Sequence, residues 1–220
     1  MEKKIKKGNG VTELVFILDR SGSMSGFEKD TIGGFNSMIN EQKTNTQKAY
    51  VTTALFDNEL QILHDRIELS KVQPMTEKEY MTRGSTALYD TIGRMINHIG
   101  HIHKYANRDD VPEHRIFAIT TDGYENASRT FDARKVKQMI QHQKDKYGWE
   151  FIFIGANIDA EEVADEIGIG SECAVEYRQN SDGVKEVYEG INRAVHSMRE
   201  CGTVNSTWNE RIRKHREETK

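Results

Sequence analysis

The chain has few cysteines, no long apolar run and no surplus of charge of either sign, and each shortage removes a class of protein. Two cysteines among 220 residues, Cys173 and Cys201, are too few for a disulfide framework. In a reducing compartment both stay thiols and act as small packing residues. No stretch approaches the ~20 consecutive apolar residues that a membrane-spanning helix needs. Lys and Arg number 31 against 35 Asp and Glu, a net charge of -4, and the two signs are mixed along the chain. Such a surface has no field to gather nucleic acid or an anionic membrane, and neither is expected as a partner. Lys3, Lys4, Lys6 and Lys7 precede a short apolar run, but that run contains Glu13 and Asp19 and lacks a small-residue cleavage site. No export signal is visible, and a cytoplasmic protein is expected. A G-x-S-x-G elbow, a P-loop and an H-E-x-x-H pair are also missing, which argues against an enzyme.

What is present suits a single α/β domain. A composition 36% hydrophobic and 30% charged describes a modest core under an ionic surface. The chain divides into a basic lead at residues 1–10, a domain at 11–202, and a polar, charged tail at 203–220, expected to be loosely held. Val11–Leu18, Ile116–Thr120 and Phe151–Gly155 are short runs rich in Val, Ile and Phe and bounded by Gly, Asp or Asn, as strands buried on both faces are. Helical spacing falls between and after them, at roughly Lys29–Lys43, Ala87–Lys104, Arg134–Lys146, Glu161–Ile167 and Val184–Met198, with Gly202 ending the last helix. Parallel strands need long crossovers, so this alternation predicts a doubly wound, mainly parallel, Rossmann-like sheet with helices on both faces. Tyr50–Phe56 and Leu60–His64, separated by Asp57-Asn58-Glu59, read as a hairpin that adds one antiparallel edge strand.

In open α/β sheets ligand sites lie beyond the carboxyl ends of the strands. Three loops at such positions carry oxygen ligands. Asp19-Arg20-Ser21-Gly22-Ser23 follows the first strand and alternates a carboxylate with two hydroxyls, hard donors of the kind Mg2+ prefers. The same residue types also build ordinary polar turns that cap helices. Arg83 to Asp90 holds Ser85 and Thr86, either a plausible N-cap for the helix that follows. Thr120-Thr121-Asp122-Gly123 stops a buried strand at a carboxylate.

Together these segments resemble the metal-ion-dependent adhesion site of von Willebrand factor A domains. Asp19, Ser21 and Ser23 match the D-x-S-x-S turn, Thr86 the distant threonine, and Asp122 the aspartate of T-D-G. The resemblance runs from about Val11 to Met198. It implies that the Ser21 and Ser23 hydroxyls bind the ion directly, that Thr86 binds directly or through water, and that Asp19 and Asp122 act largely through water. The implied ion is Mg2+, with Mn2+ or Ca2+ as alternatives. An ion held by neutral hydroxyls keeps net positive charge, so a partner protein's Asp or Glu can complete its shell. A metal-dependent protein-binding module is therefore the leading reading, and a Mg2+-dependent phosphoester hydrolase is the alternative. For the haloacid dehalogenase type of phosphatase, Ser21 stands where a second aspartate is needed.

Other features are open to plainer readings. Asp90, one turn beyond Thr86, either orients the ligands or is a solvated helix residue. Asp57 is explained by the local preference of hairpin turns for Asp. His98, His101 and His103 fit no strong zinc spacing and read as solvated or capping groups. Met38, Met95, Met139 and Met198 fall at helical core positions. The basic run from Arg211 to Arg216 is diluted by Glu210, Glu217 and Glu218 and reads as solvated.

Overall fold

The computed structural model describes residues 10–218, so the basic lead at 1–10 lies, but for Gly10, outside the described residues. Strand β1 (Thr12–Asp19) is buried along its whole length because both faces of the sheet are covered. Its Leu14, Phe16 and Leu18 face a core shared with helices α1 (Glu28–Gln42) and α5 (Ser181–Cys201). Val15 and Ile17 point the other way, toward α2 (Leu88–Tyr105), α3 (Ala133–Tyr147) and α4 (Ala160–Glu166). Alternation along one strand thus feeds two cores. The remaining strands are β2 (Ala49–Phe56), β3 (Leu60–Glu68), β4 (His114–Thr121), β5 (Trp149–Gly155) and β6 (Ala174–Glu176), in the sheet order β3-β2-β1-β4-β5-β6. All neighbours pair in parallel except β2 with β3, which is the architecture expected from the alternation of elements.

The hairpin runs past its expected end at His64. Arg66 enters the left-handed region (φ 49°) where the β2–β3 register shifts, and its N–H reaches Thr52 Oγ1 at 3.1 Å. An edge strand is covered on one face only, so its Asp65, Arg66 and Glu68 look like turn residues in sequence while their backbone still pairs. Gly202 closes α5 in the left-handed conformation (φ 74°), its N–H bonded to Met198 O at 3.0 Å, as its position suggested. Met38, Met95 and Met198 are core residues, and Met139 packs partly buried against the core.

The C-terminal segment corrects the expectation of a loosely held tail. Residues 210–218 form α6 (Glu210–Glu218), and Trp208 and Ile212 are each 1% exposed in the core that α5 shares. Trp208 Nε1 donates to Glu172 O at 3.2 Å. Gly190 on α5 makes room for this docking, because a Cβ there would stand 2.6 Å from Ile212 Cδ1. Val204, Trp208 and Ile212 recur at intervals of four among polar and charged residues, the first two in the segment that leads into α6 and the third within it. The charged residues solvate the outer face, where Arg211 meets Glu186 and Glu189 and Arg213 meets Glu161.

Candidate metal centre

Parallel pairing of β1 with β4 brings their carboxyl ends side by side, Leu18 opposite Thr120. Asp19 and Asp122, which are 103 positions apart in sequence, therefore emerge next to each other, both nearly fully buried. The Thr121 hydroxyl donates to Asp19 Oδ2 at 2.7 Å, and the Ser21 N–H donates to Asp19 Oδ1 at 2.7 Å. Burial pushes the Asp19 carboxyl up to about 6, against these hydrogen bonds, and the charge of Asp122 adds to the rise. A cation at this point would relieve both penalties.

The serine hydroxyls face the same spot. Ser21 Oγ and Ser23 Oγ are 3.1 Å apart, Ser23 Oγ lies 2.7 Å from Asp122 Oδ1, and Ser21 Oγ lies 3.5 Å from it. An octahedral Mg2+ with oxygens at about 2.1 Å holds adjacent ligands roughly 3 Å apart, so this triangle has the dimensions of one octahedral face. Thr86, two residues before α2, lies on the same side of the Asp122–Gly123 turn as Ser23, its Oγ1 and Ser23 Oγ each 3.9 Å from the point where a Cβ on Gly123 would sit. Among the described residues no three His, Cys, Asp or Glu side chains assemble a metal site. This donor set is two carboxylates and three hydroxyls, which suits a hard cation rather than a thiolate- or imidazole-loving one. Ser23 is exposed while Ser21, Thr86 and both aspartates are buried, so the cluster opens to solvent on one side.

Buried braces hold the loops. Asp57 Oδ2 accepts from Arg20 Nε and Arg83 Nε, both at 2.9 Å, tying the Asp19–Ser23 turn to the segment that leads to Thr86. Gly22 N–H to Gly84 O (3.2 Å) and Arg83 N–H to Arg20 O (2.9 Å) join the same two segments through the backbone. Asp57 also accepts from the Glu59 N–H at 2.8 Å, the local turn bond that its hairpin position suggested. The Tyr80 hydroxyl donates to Asp19 O from below.

Thr86 does not cap α2 with its side chain, and neither does Ser85. Ala87 holds the cap position, and the Thr86 backbone is clasped by Asn126, which accepts from its N–H at 2.9 Å and donates to its carbonyl at 3.0 Å. Asp90 is neither solvated nor in contact with the cluster. It accepts the backbone N–H groups of Arg129, Thr130 and Phe131. Burial acts to raise its carboxyl, but these three donors outweigh it and hold the group below its usual range.

Two contributors stand outside the five-residue pattern. Thr121 is the threonine of the T-D-G run, and the β1–β4 register gives it its part by setting its hydroxyl against Asp19. Gln179, between β6 and α5, donates through Nε2 to Asp122 Oδ2 at 2.7 Å and to Ser23 O at 3.3 Å. The three histidines diverge: His98 pairs with Asp65 (2.7 Å), His101 lies against the Tyr105 ring (4.7 Å), and His103 pairs with Glu13 (3.1 Å). His103 is thus not the solvated group expected, because the Glu13 carboxylate beneath it is fully buried.

No protein-family model matches the chain, and no curated protein matches it either. Among solved structures it resembles the proximal thread matrix protein 1 from the mussel byssus with a zinc-occupied MIDAS motif, at 15% identity and a TM-score of 0.55, covering 83% of this chain and 45% of that one. A von Willebrand factor type A structure from Catenulispora acidiphila gives 15% identity and 0.55, covering 83% of this chain and 42% of the other. The vWF domain of the type V pili tip protein Mfa5 from Porphyromonas gingivalis gives 10% identity and 0.60, with 88% and 98% covered. The chain therefore spans less than half the length of the first two. It has the von Willebrand factor A fold. No helix among the described residues is long and apolar enough to cross a membrane.

Proposed function

We propose that this chain is a metal-dependent protein-binding module, in which a divalent cation held by Ser21, Ser23, Thr86, Asp19 and Asp122 takes an Asp or Glu of a partner as a further ligand. The supporting observation is the triangle of Ser21 Oγ, Ser23 Oγ and Asp122 Oδ1, with sides of 2.7 to 3.5 Å, at an opening to solvent. Mg2+ fits those separations, while Mn2+ and Ca2+ are the alternatives. When bound, the cation supplies a positive charge left partly unneutralised by the hydroxyls. The protein supplies the rest: Thr121 and the Ser21 N–H orient Asp19, and the buried Arg20–Asp57 pair, joined by the half-exposed Arg83, fixes the loops.

The structural relatives agree with this reading, one being a matrix protein with a zinc-occupied MIDAS motif and another a pilus tip protein. Binding rather than catalysis is part of the proposal. Ser21 and Ser23 contact each other and a carboxylate, not an imidazole that would activate them as nucleophiles. A cytoplasmic setting is proposed with it, and titration of Cys173 and Cys201 without reductant tests that setting.

Calorimetry with Mg2+ tests the centre directly. The parent protein is expected to bind one ion, and Asp19→Ala is expected to bind none while its circular dichroism is unchanged. Partner capture from native cells should then be lost in EDTA and with Asp19→Ala alike. Equal capture under all these conditions would place recognition on another surface.

A further inference from the structure

The Gln179 side chain is held from both ends. Its Nε2 donates to Asp122 Oδ2 at 2.7 Å and to Ser23 O at 3.3 Å, while its Oε1 accepts from Asn157 Nδ2 at 2.6 Å. The amide orientation is fixed by this chemistry, because the reverse orientation would set Oε1 against a carboxylate and Nε2 against another amide donor. Asn157 is itself held in the left-handed conformation (φ 55°) just after β5. The loops after β5, β6 and β4 are thus linked in a row, Asn157 to Gln179 to Asp122 Oδ2.

The two oxygens of that carboxylate have different neighbours. Oδ1 faces the serine hydroxyls, whereas Oδ2 is capped by the amide. The distinction bears on which ion the centre selects. Ca2+ accommodates bidentate carboxylates and six to eight oxygens at about 2.3–2.6 Å, while Mg2+ takes single oxygens in a tight octahedron at about 2.0–2.1 Å. With one lone pair of Oδ2 held by Gln179 and the amide standing beside it, Oδ1 is the freer oxygen that Asp122 presents toward the ion or its water.

We propose that Gln179 tunes metal selectivity: by holding Asp122 Oδ2 it disfavours the bidentate geometry open to Ca2+ and biases the centre toward Mg2+. The inference rests on the metal-binding reading above and adds to it a specificity residue outside the five-residue pattern. Gln179 acts through Asp122 and is a positioning residue.

The test is the ratio of Ca2+ to Mg2+ affinity by calorimetry on the full chain. Gln179→Ala is expected to raise that ratio by about tenfold or more, chiefly through tighter Ca2+ binding. Asn157→Gly tolerates the positive φ, keeps the glutamine and removes its anchor, so it should give a smaller shift in the same direction. Thermal melts of the ion-free proteins establish that each variant is folded, and the Asn157 variant carries the test should Gln179→Ala fail to fold. Mg2+ binding by the parent with an unchanged ratio in the variants overturns the selectivity role alone. A parent that binds neither ion overturns the metal centre itself and this inference with it.

Discussion

The Thr121 hydroxyl donates to Asp19 Oδ2 at 2.7 Å, across the boundary between two strands whose ends are 102 residues apart in the chain. This bond joins the two halves of the candidate centre before any ion arrives. Thr121→Val keeps the shape and deletes the donor. The ion-free protein should lose about 1–2 kcal/mol of stability, since a buried carboxylate gives up a partner. Mg2+ affinity should fall as well, because Asp19 is no longer held in place. Denaturant melts and calorimetry measure the two effects, and an unchanged Mg2+ affinity would show that Asp19 needs no such support.

Ser23 is exposed and Ser21 is buried, so they separate binding from folding. Ser23→Ala is expected to leave the ion-free melting temperature within error while weakening Mg2+ binding by about tenfold or more, roughly 1.4 kcal/mol. EDTA should release the ion from the parent without unfolding it, because the sheet and its two cores carry the fold. Collapse of the circular dichroism signal on chelation would contradict this.

Asp57 pairs with two guanidinium groups through one oxygen, and the Arg20 side chain is only 3% exposed. Asp57→Ala leaves a buried cation without its partner, a change that costs on the order of 3–5 kcal/mol. The loss should exceed that from Glu59→Ala, whose partner Arg83 is half exposed. Chemical denaturation of both variants decides it, and similar losses would mean that Arg20 finds another partner.

Trp208 anchors α6 to the core. Trp208→Ala is expected to destabilise the protein by about 3–5 kcal/mol, the usual cost of emptying a buried aromatic site. A solvated tail would tolerate the change. Limited proteolysis should cut near residues 203–210 in the variant and spare the parent.

His64 gives the protein an acid-sensitive point on the β3 edge. Burial holds its imidazole below the usual histidine range, with Nδ1 against Thr53 Oγ1 and Nε2 against Gln73 O. The unfolded chain therefore binds this proton more readily than the folded one. Its contribution is fully present above about pH 6.5 and is lost as the pH falls from there through the lowered folded value. Stability curves of the parent and His64→Gln should converge on acidification through that window. A constant difference between them would remove His64 as the cause.

Local signals determined much of the architecture. Apolar runs too short for helices, separated by helical periodicity, allow few arrangements other than a parallel sheet covered on both faces, and β1, β4 and β5 lie within a residue or two of where those runs placed them. The five oxygen-bearing residues were also legible, because each sits at a strand end or helix start where the chain itself marks a boundary. Tertiary structure decided what register and crossing chains bring together. Thr121 matters only because β1 and β4 pair as they do, and Gln179 only because the loop after β6 returns over Asp122. Asp90 turned out to hold a neighbouring loop through three backbone donors that no spacing rule locates. The apolar residues Val204, Trp208 and Ile212 stood at intervals of four, yet their polar and charged neighbours concealed them until α5 supplied a face with Gly190 for them to cover. Sequence periodicity records which residues share a face of one element, whereas the partner of that face is set by packing between elements far apart in the chain.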